Sequence, residues 1–220
     1  MPVDHIVWDW NGTLFDDGDA LVRATIEAFS RSGLPEVTVT GYQEHFTRPI
    51  TAFYDRLAGK ALTPQEQASV DKHFQLSYAD LMGRAAVHSQ TVTALTAWRD
   101  AGRTQSLLSM YPHDQLVDLP QFRAIAHFFD QVDGLRSDEQ HHKEPHLRRH
   151  LEAVGERNVL VVGDSDDDVH AAKACGIPCL LYHPSNGALV SQTRVAGLQV
   201  PVVRELPDAV RWALSTPGGR

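Results

Sequence analysis

Residues 5–14 read HIVWDWNGTL. An apolar run from His5 to Trp8 closes on an acid, Asp9, and Asn11-Gly12 follows as a turn signal. The run is too short for a helix and predicts a buried strand over 5–9. C-terminal to it, residues 18–32 carry Leu21, Val22, Ile26 and Phe29 at helical spacing, with Gly33 as the stop. A second helix is predicted over about 40–58. Thr63, Pro64 and Glu66 have the spacing of a capping box with proline at the first helical position, opening a helix to Met82. Residues 16–85 therefore read as all-helical.

Beyond residue 85 the pattern changes to alternation. Helix 90–101 stops at Gly102, and strand Thr104–Ser109 follows. A helix from about Pro112 leads to an apolar stretch, Phe128 to Val132. Helix 145–154 precedes strand 158–162, helix 166–175 precedes strand 178–182, and a weaker strand at 200–203 precedes a last helix, 207–214. Strands alternating with helices imply parallel pairing through right-handed crossovers. The predicted class is α/β: a doubly wound parallel sheet, with a small all-helical unit inserted after the first strand. The expected organisation is a core of 1–15 and 86–220 interrupted by the helical insertion 16–85.

Composition narrows the function classes. The 220 residues are 42% hydrophobic and 22% charged, as in an ordinary soluble globular chain. A net charge of −8 argues against nucleic-acid binding, which calls for a basic surface. No apolar run approaches the roughly 20 residues of a membrane span, and the N-terminus lacks the basic start of a signal peptide. Cys175 and Cys179 are too few for a disulfide framework and read as buried reduced thiols. A cytoplasmic location is the expectation.

Open α/β sheets bind ligands outside the carboxyl ends of their strands. Four polar positions meet that requirement: Asp9 after the first strand, Ser109 after the second, Lys143 in the polar stretch before the helix near Pro145, and Asp164 after Val159–Gly163. The chain resembles the haloacid dehalogenase-like hydrolase superfamily in four ordered motifs. They are DWNGTL at 9–14, LLS at 107–109, Lys143 with Pro145, and GDSDDD at 163–168 continuing VHAAKACGI. The helical insertion matches the cap of its phosphoglycolate phosphatase-like branch. The resemblance implies a magnesium-dependent phosphatase of a small phosphorylated metabolite; a monomer or homodimer is the expectation. It also implies Asp9, the backbone carbonyl of Asn11 and Asp164 as Mg2+ ligands, with Asp168 binding through water or orienting Lys143.

The residue types suit this chemistry. A carboxylate such as Asp9 can attack phosphorus and later leave from an aspartyl-phosphate. Backbone N–H groups around Trp10, in the turn eased by Gly12, can cradle phosphoryl oxygens. Lys143 and a hydrogen bond from Ser109 would stabilise charge on the transferring phosphoryl group. Asp166 and Asp167 read as carboxylates favoured at a helix N-terminus.

One position departs from the pattern. The residue two after the nucleophile is usually an acid in this branch, and here it is Asn11. An amide cannot exchange a proton near neutral pH, and general acid–base catalysis is worth about 10²–10⁴-fold. A handicapped phosphatase is expected, with a phosphoryl transferase or a non-enzymatic phospholigand-binding regulator as the alternative on the same core. In the cap, His45, Thr47 and Arg48 are candidates for contacting the substrate. His142, His146 and His150 recur every four residues and read as a solvated face. Phe29, Phe53, Tyr54 and Phe74 read as cap core.

Overall fold

A computed structural model describes residues 2–136, 142–155 and 157–215. Strand β1 (His5–Trp8) is followed by helices α1 (Gly18–Arg31), α2 (Val39–His45), α3 (Ile50–Ala58) and α4 (Pro64–Met82). Then come α5 (Thr91–Asp100), β2 (Thr104–Pro112), α6 (His113–Asp118), α7 (Pro120–Arg123) and, after a 3-10 turn, β3 (Gln131–Leu135). The chain continues through α8 (Lys143–Val154), β4 (Val159–Gly163), α9 (Asp166–Ala174), β5 (Cys179–Tyr182), α10 (Gln192–Gly197), β6 (Val202–Val203) and α11 (Leu206–Ser215).

The six strands form one parallel sheet in the order β3-β2-β1-β4-β5-β6. Side chains alternate across it with the period of two that a strand imposes. Ile6, Trp8, Leu107, Leu160, Val162 and Leu180 point to one face, under Leu95 and Trp98 of α5 and Leu206 and Val210 of α11. Val7, Leu108, Val161 and Leu181 point to the other, under Leu147 of α8 and Val169 and Ala172 of α9. Helices α1–α4 share a cluster of their own, built on Phe29, Tyr42, Phe53, Tyr54 and Val70, which Leu189 enters from the β5–α10 loop.

Three details differ from the sequence reading. The helix expected over 40–58 is two helices, because Pro49 offers no N–H and holds Arg48 out of the helical region. Helix α8 starts at Lys143 rather than near Pro145, so the lysine lies on its first turn. Helix α10 falls where the sequence pattern predicts none; it is capped by Ser191, whose side chain accepts from Arg194 N–H. The capping box at Thr63 forms in full.

The histidine reading also changes. His142 is exposed, but His146 and His150 are buried. His150 Nε2 lies 2.7 Å from Ser106 Oγ, and its Nδ1 lies 2.7 Å from Asp133 Oδ2. Serine, imidazole and carboxylate stand in the order of a hydrolytic triad. Ser106 is fully buried, however, and His5 Nε2 occupies its hydroxyl as well, at 2.7 Å. The chain His5–Ser106–His150–Asp133 therefore satisfies buried polar groups beneath β1 and β2 instead of facing a substrate.

Burial holds the His5 imidazole down to about 4, with His150 and Arg157 adding to the effect. The unfolded chain takes up that proton near 6.5 and the native state only near 4, so acid favours unfolding across this window. Relative to a His5→Gln variant, the wild type should lose on the order of 2–3 kcal/mol between pH 6.5 and pH 4. Urea midpoints measured at both pH values would check this; parallel pH dependence in the two proteins would contradict it.

Candidate active site

The sheet order makes β1 and β4 neighbours whose connections leave in opposite directions, which is where doubly wound sheets bind their ligands. Asp9 follows β1 and Asp164 follows β4, and the Trp8–Val162 register brings the two strand ends together. Close packing here depends on two glycines. A Cβ at Gly12, whose φ is +73°, would collide with the Asp164 carboxylate, and one at Gly163 would collide with that of Asp168.

Lys143 arrives from the first turn of α8 and donates to both Asp9 Oδ1 and Asp168 Oδ1. All three side chains are buried. Asp168 is held by the N-terminus of α9, where its Oδ2 accepts from Ser165 N–H at 3.1 Å and Ser165 Oγ at 2.7 Å as half of a capping box. Burial pushes the Asp9 carboxyl up to about 7, against the pull of Lys143. Asp164 is also driven upward, by burial and then by the charges of Asp9 and Asp168. Lys143 is held firmly charged: the two carboxylates outweigh its desolvation.

These residues fit a hard cation. Asp9, Asp164 and Asp168 each offer an oxygen, all within 4.8 Å of one another. Among the described residues Asp164 Oδ2 is buried with no hydrogen-bond partner, while Oδ1 takes a 3.3 Å bond from Thr13 Oγ1. Three buried carboxylates against one ammonium leave an excess of negative charge that a cation would neutralise, and an all-oxygen donor set suits magnesium.

Asn11 is tied into a cluster that sequence reading missed. Its Nδ2 donates to Asp17 Oδ2 at 2.7 Å and to Tyr78 Oη at 3.1 Å. Tyr78 in turn donates to Asp17 Oδ2 at 2.6 Å, and Gly12 N–H donates to Asp17 Oδ1 at 2.9 Å. Asp17 sits at the N-terminus of α1, yet its carboxylate caps no helical N–H and turns into the site. The signal available in sequence was the acid pair Asp16–Asp17 after the DWNGTL motif; only the fold shows which of them turns inward.

A cavity of about 460 Å³ opens above Asp9, Asn11, Lys143, Asp164 and Asp168. Arg48 lines it, whereas His45 and Thr47 do not. Asp167 lines it as well, through a carboxylate kept protonated to higher pH by burial. Asp166 instead pairs with Arg194 at 2.5 Å. Phe53, Tyr54 and Phe74 serve both the cap cluster and the cavity wall, so the reading of them as core alone was incomplete.

Two expected contacts take a different form. The Trp10 side chain is fully buried and stacks on Phe15 at 5.0 Å, so only its backbone faces the Asp9 carboxylate. Ser109 lies within β2, not at its end, and does not line the cavity. Its Oγ accepts from Tyr111 N–H at 3.0 Å and reaches Asn11 Oδ1 at 3.5 Å, so it supports the amide beside the site. Cys179 is buried and Cys175 is partly exposed.

Comparisons with known proteins agree with this geometry. Residues 3–176 match the model of the haloacid dehalogenase-like hydrolase family. A phosphoglycolate phosphatase of Yersinia pseudotuberculosis is 28% identical over 184 residues, covering 80% of this chain and 78% of its own. One of Vibrio cholerae is 26% identical over 185 residues, covering 78% and 80%. The fold matches a haloacid dehalogenase-like family protein of Streptococcus pneumoniae with a TM-score of 0.78 at 18% identity, over 96% of this chain and 98% of that one. It matches a predicted phosphatase of Clostridium acetobutylicum with a TM-score of 0.82 at 14% identity, over 98% and 100%. With its sheet order, its strand-end carboxylates and a family match over most of its length, the chain belongs to the haloacid dehalogenase-like hydrolases, in their phosphoglycolate phosphatase-like branch.

Proposed function

We propose that the chain is a magnesium-dependent phosphatase of a small phosphorylated metabolite, working through an aspartyl-phosphate on Asp9. The observation that carries this reading is the Asp9 carboxylate at the sheet's switch point. Lys143 holds it beneath a cavity, next to an Asp164 oxygen without a partner among the described residues. The curated relatives named phosphoglycolate phosphatase support the reaction class. No helix among the described residues is long and apolar enough to cross a membrane.

In this mechanism one Asp9 oxygen attacks phosphorus, and the ester oxygen departs with the bonding pair. Lys143 steadies Asp9 for the attack and offers positive charge to the phosphoryl oxygens. Asp168 orients Lys143. Asp9, Asp164 and the backbone carbonyl of Asn11 would hold magnesium, which would supply positive charge against the phosphoryl oxygens. Water then adds to phosphorus, the bond to Asp9 breaks, and the carboxylate is restored.

The amide at Asn11 favours one other reading: a phosphoryl transferase, or a regulator that keeps the phospholigand, on the same core. A stoichiometric burst of alcohol release with little free phosphate would support it.

Two measurements test the proposal. Asp9→Asn should reduce phosphate release to the no-enzyme background, and surviving turnover would remove the nucleophile assignment. Saturating magnesium should raise the wild-type Tm, since a ligand of the native state stabilises it by about 2.7 kcal/mol at one hundred times its Kd. Asp164→Asn should lose most of that rise; an equal rise in the variant would place the ion elsewhere.

A further inference from the structure

We infer that the leaving group of the substrate is an aromatic alcohol, so that the site takes phosphate esters of phenol-like hydroxyls rather than of small alkyl acids. This rests on the hydrolase reading above and specifies its substrate class.

The first observation is the commitment of the Asn11 amide. Its nitrogen carries two protons, and both have partners, one in Asp17 Oδ2 and one in Tyr78 Oη. What remains is Oδ1, an acceptor. The residue beside the nucleophile thus offers a departing oxygen neither an exchangeable proton nor a spare N–H. An alkoxide leaving without a proton is a poor leaving group, because its conjugate acid has a pKa near that of water, about 15.7. A phenolate, with a conjugate acid near 10, needs that proton far less.

The second observation is the cavity. At about 460 Å³ it falls in the range that encloses ligands of drug size, and a two-carbon acid would leave most of it unfilled. Tyr42, Phe46, Phe53, Tyr54, Phe74 and Tyr78 line it from α2, α3, α4 and the turn after α2. They are packed on one another: Tyr42 stacks on Phe46 at 5.5 Å and Phe74 on Tyr78 at 5.4 Å. A wall of aromatic faces and edges favours an aromatic guest.

The transfer balances without a general acid. The bond from Asp9 to phosphorus forms as the bond from phosphorus to the aryl oxygen breaks, and the phenolate takes its electron pair and later a proton from bulk water. Water then adds to phosphorus, the pair of the breaking bond returns to Asp9, and both protons of that water leave with inorganic phosphate.

Three esters separate the contributions: phenyl phosphate, benzyl phosphate and 2-phosphoglycolate, each assayed with saturating magnesium for kcat/KM. Phenyl phosphate should exceed benzyl phosphate by about 10²-fold or more, the range a general acid normally supplies. Benzyl phosphate, which fills the cavity but leaves as an alkoxide, should exceed 2-phosphoglycolate by about tenfold, mainly in KM. Asn11→Asp should raise turnover of benzyl phosphate by about tenfold or more and that of phenyl phosphate much less. Faster release from 2-phosphoglycolate than from phenyl phosphate, abolished by Asp9→Asn, would overturn this inference and leave the hydrolase reading standing. No release from any of the three would remove both.

Discussion

The Lys143 ammonium is the contact on which the rest of the site depends. It is buried and bridges Asp9 and Asp168, so it ties the end of β1 to the starts of α8 and α9. Each member needs the others: a buried charge without its partner costs about 3–5 kcal/mol. The bridge forms only if β1 and β4 are neighbours and α8 starts two residues before Pro145. The parallel sheet, the capping box at Ser165 and the glycines at 12 and 163 all serve that convergence.

Around this bridge the site separates two kinds of buried acid. Asp9 and Asp168 share one ammonium, and Asp164 crowds both of them. Asp17 has no cation beside it among its hydrogen-bond partners and is satisfied by neutral donors, the Asn11 amide, the Tyr78 hydroxyl and the Gly12 N–H. Burial still pushes it up, to about 6, because those bonds only partly replace water. Asn11 is thus more than a missing acid. Its amide neutralises a carboxylate's lone pairs where a second carboxylate would repel it.

Much of the fold could be read from sequence because its signals are local. The alternation of short apolar runs with helices gave the sheet, and Thr63, Pro64 and Glu66 gave the start of α4. Asp9, Lys143, Asp164 and Asp168 were legible because strand ends in such a sheet meet at one place. What escaped depends on tertiary packing. The burial of His146 and His150 follows from the face of α8 that meets the sheet, and spacing alone could not choose that face. Trp10 reads as a residue of the site by position, but its ring belongs to the core beneath. Asp17 and Tyr78 lie 61 residues apart, and nothing in either neighbourhood announces the other.

Arg194 has a consequence for how this architecture can be rearranged. From α10 it pairs with Asp166 at the N-terminus of α9 and donates to the carbonyls of Phe46 and Gln43 on the helical insertion. Gln43 also donates to Ala188 O at 2.8 Å and accepts from Ser191 N–H at 3.1 Å. The insertion is therefore stitched to a loop encoded more than 100 residues downstream. Grafting a foreign insertion into this chain as a cassette would sever those stitches and leave Arg194 with Asp166 alone, so a chimera that keeps them would have to carry residues 187–194 along with it.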